Sequence, residues 1–230
     1  MDNKDVSISH PIVGRLTIVS GIIALVSYVL VAAGFNFHFE LFSNPSQVFD
    51  TDGIHSGMLK WSMITDILGY YLLLLPLLFF LQQTMVKSFA WSNITNLCGI
   101  GYILIGSTGA AILAVLWPTH IDQFSSLSAS QQEISRIVFS SITTIVVDGL
   151  WNLLDSLLSG IWFLGIGLFL YQSKTKFMAW LTIALSFICL LDFLGNALTI
   201  KAIAETALNI YLVFAPVWAI IVGINIKKIQ

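Results

Sequence analysis

The sequence predicts an all-α polytopic membrane protein: a bundle of six transmembrane helices with a long fourth helix and both termini in the cytoplasm. Three observations predict it, namely the composition, six apolar runs of spanning length, and the uneven placement of basic residues. Of 230 residues, 57% are hydrophobic and 10% charged, with a mean hydropathy of +0.89. An ordinary soluble domain carries about 25% charged residues. Ten basic and twelve acidic side chains cannot cover a soluble sphere of this size. The net charge of −2 gives no footprint for a polyanion, so nucleic acid is not an expected partner. The bilayer is.

A spanning helix needs about 20 predominantly apolar residues. Six stretches qualify, at 14–37, 60–83, 92–117, 137–171, 177–199 and 206–226, and they make one transmembrane domain of residues 1–230. The first span is too long for a signal-peptide core and no A-x-A site follows it, so it reads as a retained helix. In the second span Pro76 predicts a distortion, as Pro216 does in the sixth. The third carries Gly106 and Ala110, a small-residue face for helix packing. The fourth starts from a capping box at Ser130 and Glu133. Its roughly 40 residues would reach about 60 Å against a hydrocarbon core of about 30 Å, so it must tilt, kink or project. No internal repeat marks an inverted-repeat transporter.

Six spans put both termini and the second and fourth loops on one side. That side holds Lys4, Arg15, Lys87, Lys174, Lys176, Lys227 and Lys228, against Lys60, Arg136 and Lys201 opposite. The positive-inside rule therefore places both termini in the cytoplasm. The Asn93-Ile94-Thr95 sequon falls on that side and is only formal. Trp91, Trp117 and Trp180 read as belt aromatics. Cys98 and Cys189 lie inside apolar runs and read as small buried hydrophobes. The short connections 84–91 and 172–176 make hairpins of spans 2 and 3 and of spans 4 and 5. The outer loops, 38–59 and 118–132, are longer.

Carboxylates inside a membrane are costly and tend to mark function. Asp66, Asp148, Asp155 and Asp192 lie well inside the spans. On the fourth, Asp148, Asn152, Asp155 and Ser159 fall on one α-helical face; on the fifth, Asp192, Asn196 and Thr199 do the same. Arg136, Ser140 and Thr144 extend the first face outward. With Lys174 as the centre of the turn, positions summing to about 348 lie level. Asp155 then meets Asp192, Asn152 meets Asn196, and Asp148 meets Thr199. Measured from the cytoplasmic ends, Asp155, Asp192 and Asp66 lie at depths of about 24, 22 and 25 Å. Three carboxylates from three helices thus share a plane with no Lys or Arg in it. Close carboxylates in a low dielectric cannot all ionise, so they hold a proton or bind a monovalent or divalent cation.

Other constellations are weaker. His38, His55 and His120 fall on outer loops near Asp50, Asp52 and Asp122, but their spacing matches no metal-ligand signature. No histidine lies at mid-membrane for a bis-histidine haem, and no final-span lysine stands where retinal would attach. G-x-S-x-G, H-E-x-x-H and P-loop motifs are missing.

Several features together resemble a bacterial family of six-helix membrane proteins known only as domain of unknown function 4386. Arg15 precedes a small-residue-rich first span. The long fourth helix carries Asp148 near Trp151, and Trp180 follows a short basic loop. The ending runs Ala215-Pro216-Val217-Trp218, then Gly223 and a basic tail. Where members carry Arg-Asp-Trp, this chain has Val147-Asp148-Gly149-Leu150-Trp151, without the arginine. The resemblance covers most of the chain and implies a bacterial inner-membrane location; it implies no activity.

Three function classes follow, in order. The first is a small proton- or cation-linked permease or ligand-binding membrane protein. Its site would be Asp66, Asp148, Asn152, Asp155, Asp192 and Asn196, its ligand a small molecule or ion, and a bundle this small is expected to work as a homo-oligomer. The second is a structural or accessory protein whose buried Asp and Asn only bond helices together. The third is an intramembrane lipid-modifying enzyme using an Asp as general base. The reading leans away from an enzyme, and no nucleotide cofactor is expected.

Overall fold

The computed structural model describes residues 10–42, 44–86, 88–173 and 175–229. Lys4, Lys87 and Lys174, counted in the charge asymmetry, lie outside the described residues. Six helices are long and apolar enough to cross a membrane: α1 (His10–Gly34), α2 (Ser56–Met85), α3 (Ser92–Ser126), α4 (Ala129–Gln172), α5 (Lys176–Ala197) and α6 (Lys201–Lys228). No strand occurs among the described residues. The chain is a multi-pass membrane protein that contacts lipid, as the exposed apolar faces of Val29, Leu97, Leu104, Val115 and Ile224 require.

The helices form a closed ring. Each packs on its neighbours in sequence, and α6 closes on α1. Small residues set the closest approaches. A Cβ on Gly14 would stand 2.6 Å from the Gly223 carbonyl, and one on Gly21 2.5 Å from that of Pro216, so α1 and α6 touch backbone to backbone. Inside the ring lie two apolar clusters. One, toward the end carrying both termini, is built on Leu77, Leu81, Trp162, Phe163, Ile166, Trp218 and Val222. The other, toward the opposite end, is built on Phe35, Leu59, Trp117, Phe139 and Val146. That opposite end is capped by two 3₁₀ turns, Phe39–Phe42 and Pro45–Asp50.

Several expected boundaries are corrected. α3 does not stop at Trp117: its α-helical part continues through Pro118 to Gln123. Trp117 is fully buried against Phe35 and Phe42, and His120 bonds Ser135 at 2.8 Å, so packing overrides the bond proline removes. The loop expected over 118–132 shrinks to a short link at Leu127 and Ser128. The capping box is Ser128 with Gln131, not Ser130 with Glu133. Ser128 holds the extended backbone of an N-cap (φ −67°, ψ 159°), and Gln131 accepts its N–H at 3.0 Å. α5 ends at Ala197, so Thr199 stands in the turn and not on the helical face, with φ +58°.

The two prolines differ in effect: the last helix runs α-helical through Pro216, whereas α2 changes its coil just before Pro76. Pro216 leaves the Leu212 carbonyl without its helical donor, and the Tyr70 hydroxyl donates to it at 2.6 Å. Before Pro76, α2 widens into a π-turn at Ile67–Tyr71 and tightens into a 3₁₀ turn at Leu72–Leu74. There Ser20 of α1 donates to the Gly69 carbonyl, and Tyr102 of α3 to the Tyr70 carbonyl at 2.9 Å. The length of α4 is also taken up by a wide coil, an eleven-residue π-helix at Ile145–Asp155. π-Segments are mostly single turns and recur at functional sites.

Candidate functional site

The polar level lies where the two apolar clusters meet. Asp66 follows Met63 of one cluster and precedes Tyr70 of the other. Asp155 falls between Val147 and Trp162, and Asp192 lies on the buried face of α5 that runs from Cys189 on to Gly195. Asp155 and Asp192 are 5% and 4% exposed; Asp66 is partly exposed. Asp155 stands near enough to both Asp66 and Asp192 to feel their charge. Among the described residues the ion pairs are His38–Glu40 and Arg136–Asp50, both far along the chain from this level.

The three carboxyls are not equivalent. Asp192 has both oxygens bonded: Ser156 of α4 donates to Oδ2 at 2.5 Å and Asn196 donates to Oδ1 at 2.9 Å. Positions 156 and 192 sum to 348, so the α4–α5 hairpin closes at the register expected from its short turn. Asp155 lies near Tyr71, yet its Oδ1 is buried without a hydrogen-bond partner. A buried polar atom left unmatched costs about 1–3 kcal/mol, so such an atom calls for a reason.

Asp148 and Asn152 do not join this group. Asp148 is exposed, beside Asn152 and within reach of Lys201 at the start of α6. The reason is the wide coil. An α-helix turns about 100° per residue; a helix closed by bonds to the fifth residue turns less. Over the seven residues from Asp148 to Asp155 the lag carries the two acids onto different faces. The shared face of Asp148, Asn152, Asp155 and Ser159 is thus split. Asn152 does not pair with Asn196, which bonds Asp192.

The structure adds four tyrosines that the sequence reading passed over. Tyr102 lies 2.9 Å from the Tyr211 hydroxyl and donates to the Tyr70 carbonyl, so Tyr211 donates to Tyr102. Tyr71 lies against Tyr102, ring centroids 5.2 Å apart. Its ring fills a slot at Gly106 of α3, where any Cβ would overlap it, and Trp151 of α4 donates to the Gly106 carbonyl at 3.3 Å. The signal was available: tyrosine belongs at membrane interfaces, whereas these four lie in mid-span.

At the capped end, Arg136 holds Asp50 through two bonds of 2.7 and 2.6 Å and also donates to the Ser46 carbonyl at 3.0 Å. Its guanidinium covers the Phe124 ring at 4.8 Å. The Arg136 guanidinium beside Asp50 holds that carboxyl below the usual carboxylate range. His38 bonds Glu40 and His120 bonds Ser135. Among the described residues, no three His, Cys, Asp or Glu side chains are grouped as ligands of a metal ion.

No family profile, curated protein or solved structure matches this chain.

Proposed function

We propose that this chain is a small proton-linked permease or ligand-binding membrane protein, with Asp155 as its proton-binding carboxyl and Asp66 and Asp192 as its neighbours. One observation carries the reading. Asp155 is buried with one oxygen unpartnered, next to two further acids and with no basic side chain bonded to any of them among the described residues. Three carboxyls so placed share fewer than three negative charges. Because these acids do not group as ligands of one metal ion, the reading takes the linked species to be a proton in preference to a divalent cation.

The termini are proposed to face the cytoplasm of a bacterial inner membrane. Arg15, Lys176, Lys227 and Lys228 lie exposed at that end, which supports the orientation. The resemblance to domain of unknown function 4386 supports the location. A second reading, that the chain is an accessory protein, is favoured by Asp192, whose two bonded oxygens tie α4 to α5.

Thermal unfolding of the purified protein separates these readings, measured from mildly acidic to neutral pH and in Na⁺, K⁺, Mg²⁺, Ca²⁺ and Zn²⁺. A species binding only the folded state at a hundredfold excess over Kd stabilises it by about 2.7 kcal/mol. The proposal expects a pH-dependent melting temperature that Asp155→Asn flattens. An ion-specific rise lost in that variant would replace the proton by that cation. Flat, superimposable profiles for wild type and variant would leave the accessory reading.

A further inference from the structure

Arg15 and the basic ending of the chain stand out in the sequence, and the mid-bundle carboxyls use neither. The fold brings the two together. Where the ring closes, α1 and α6 run antiparallel: Gly21 meets Pro216, and Gly14 lies level with Gly223 and Ile226. Arg15 is therefore about one helical turn from the level of Lys227 and Lys228, and all three are exposed. Helical side chains lean toward the helix N-terminus, which for α1 is the end where these lysines stand. Lys228 donates to Asn225 Oδ1 at 2.8 Å, a neutral acceptor. No Asp or Glu among the described residues lies at this end of the bundle. Three like charges thus gather on one seam, which favours an anion between them. The surface leading away from them is equally distinctive. Arg15 shares the lipid-facing side of α1 with Ile12, Val19, Ile22 and Val26, and the lysines end the side of α6 that carries Val213, Val217 and Ile224. Among the described residues, every large exposed hydrophobic side chain of α1 and α6 is valine or isoleucine, whereas α2 and α5 expose Trp61, Phe79, Phe177, Trp180 and Phe187. β-Branched side chains are stiff at χ1, so a hydrocarbon chain packing on them restricts few rotamers. From Arg15 to Val26, α1 rises about 16 Å, close to the roughly 15 Å of hydrocarbon in one leaflet.

We infer that the α1–α6 seam is a binding site for an anionic phospholipid, with its phosphate among Arg15, Lys227 and Lys228 and its acyl chains along the valine and isoleucine stripes. Arg15 grips phosphate oxygens through paired N–H donors, and the lysines act as point charges. The arginine starts one turn deeper and reaches the head group by laying its stem along apolar surface, guanidinium toward water. The bound lipid clasps the two helices that close the ring, and it stabilises the folded bundle because the unfolded chain offers no such seam. This site is separate from Asp155 and does not depend on its proton.

The test titrates the full-length protein, purified in detergent, with phosphatidylglycerol, with phosphatidylcholine of the same acyl chains, and with inorganic phosphate, following its melting temperature. Phosphatidylglycerol is expected to raise it at concentrations where the other two do not. Arg15→Gln and Lys227→Gln should each raise the phosphatidylglycerol concentration required by about fivefold, and together by more than tenfold. Both positions are exposed, so the variants should melt as wild type does without lipid. Lys176→Gln removes a charge at the same end but on α5, outside the seam, and should leave the titration unchanged. Equal weakening by Lys176→Gln overturns the site, because a basic rim that attracts anionic lipid everywhere would explain the effect. Equal stabilisation by phosphatidylcholine or by inorganic phosphate overturns it as well. So does an unchanged titration of the Arg15→Gln, Lys227→Gln double variant.

Discussion

Acidic side chains occur in two settings in this molecule and are handled in opposite ways. At the capped end, Asp50 and Glu40 are exposed and each meets a basic partner, Arg136 or His38. At mid-bundle, Asp66, Asp155 and Asp192 are partly or wholly buried and have only neutral donors or nothing. Water already screens charge at the cap, so pairing there contributes little and is easily arranged. In the apolar interior an ion pair would cost heavily in desolvation and an isolated charge more. The contrast sharpens within the buried group. Asp192 is bonded like a structural residue and Asp155 is not, so the functional reading rests on the second and is not diluted by the first.

Breaking the scaffold of the buried level should have the largest effect. Gly106→Leu drives a side chain into the space of the Tyr71 ring, and such overpacking costs about 3 kcal/mol; a melting curve matching wild type would show that the slot is not tight. Asp192→Ala comes next. It removes the bonds from Ser156 and Asn196 and should lower stability by about 1–2 kcal/mol in chemical denaturation. Between the two regions, Thr199 holds a left-handed backbone that a β-branched residue adopts only at a cost. Thr199→Gly should raise stability by about 1 kcal/mol, and a loss there would mean that its side chain does more than occupy the turn. The smallest effect belongs to the cap: Arg136→Gln should hardly move the melting temperature at physiological salt. The pH dependence of that pair has a definite sign. Arg136 lowers the Asp50 pKa on folding. The pair's small contribution is therefore present above the unfolded carboxylate pKa and is lost as pH falls through the folded value.

Most of the fold was legible because lipid imposes one rule: twenty or so apolar residues per crossing. The errors sit at helix ends. The third span was expected to stop at Trp117, yet Trp117 and His120 are held tightly enough for the helix to continue through Pro118. Ser130 offered a capping box as good as that at Ser128, and only the extended backbone at Ser128 decides between them. The register that brings Ser156 to Asp192 followed from hairpin arithmetic, since the short turn leaves little freedom, whereas Asp66 was placed only by its depth along the second span. The position of Asp148 did not, because the count assumed α-helical turns and the Ile145–Asp155 coil is wider. Sequence periodicity cannot report a π-segment that itself carries the polar pattern. Tyr71 carried a signal in its mid-span position, but the slot that receives its ring is at Gly106, thirty-five positions away, and is recognisable only once the two helices are docked.

The central claim is that Asp155 takes up and releases a proton while Asp192 serves as a fixed hydrogen-bonding residue. Infrared difference titration of the reconstituted protein tests it directly. The account predicts a protonated-carboxyl band in wild type that fades as pH rises, is absent in Asp155→Asn, and persists in Asp192→Asn. Superimposable titrations for wild type and Asp155→Asn would contradict it.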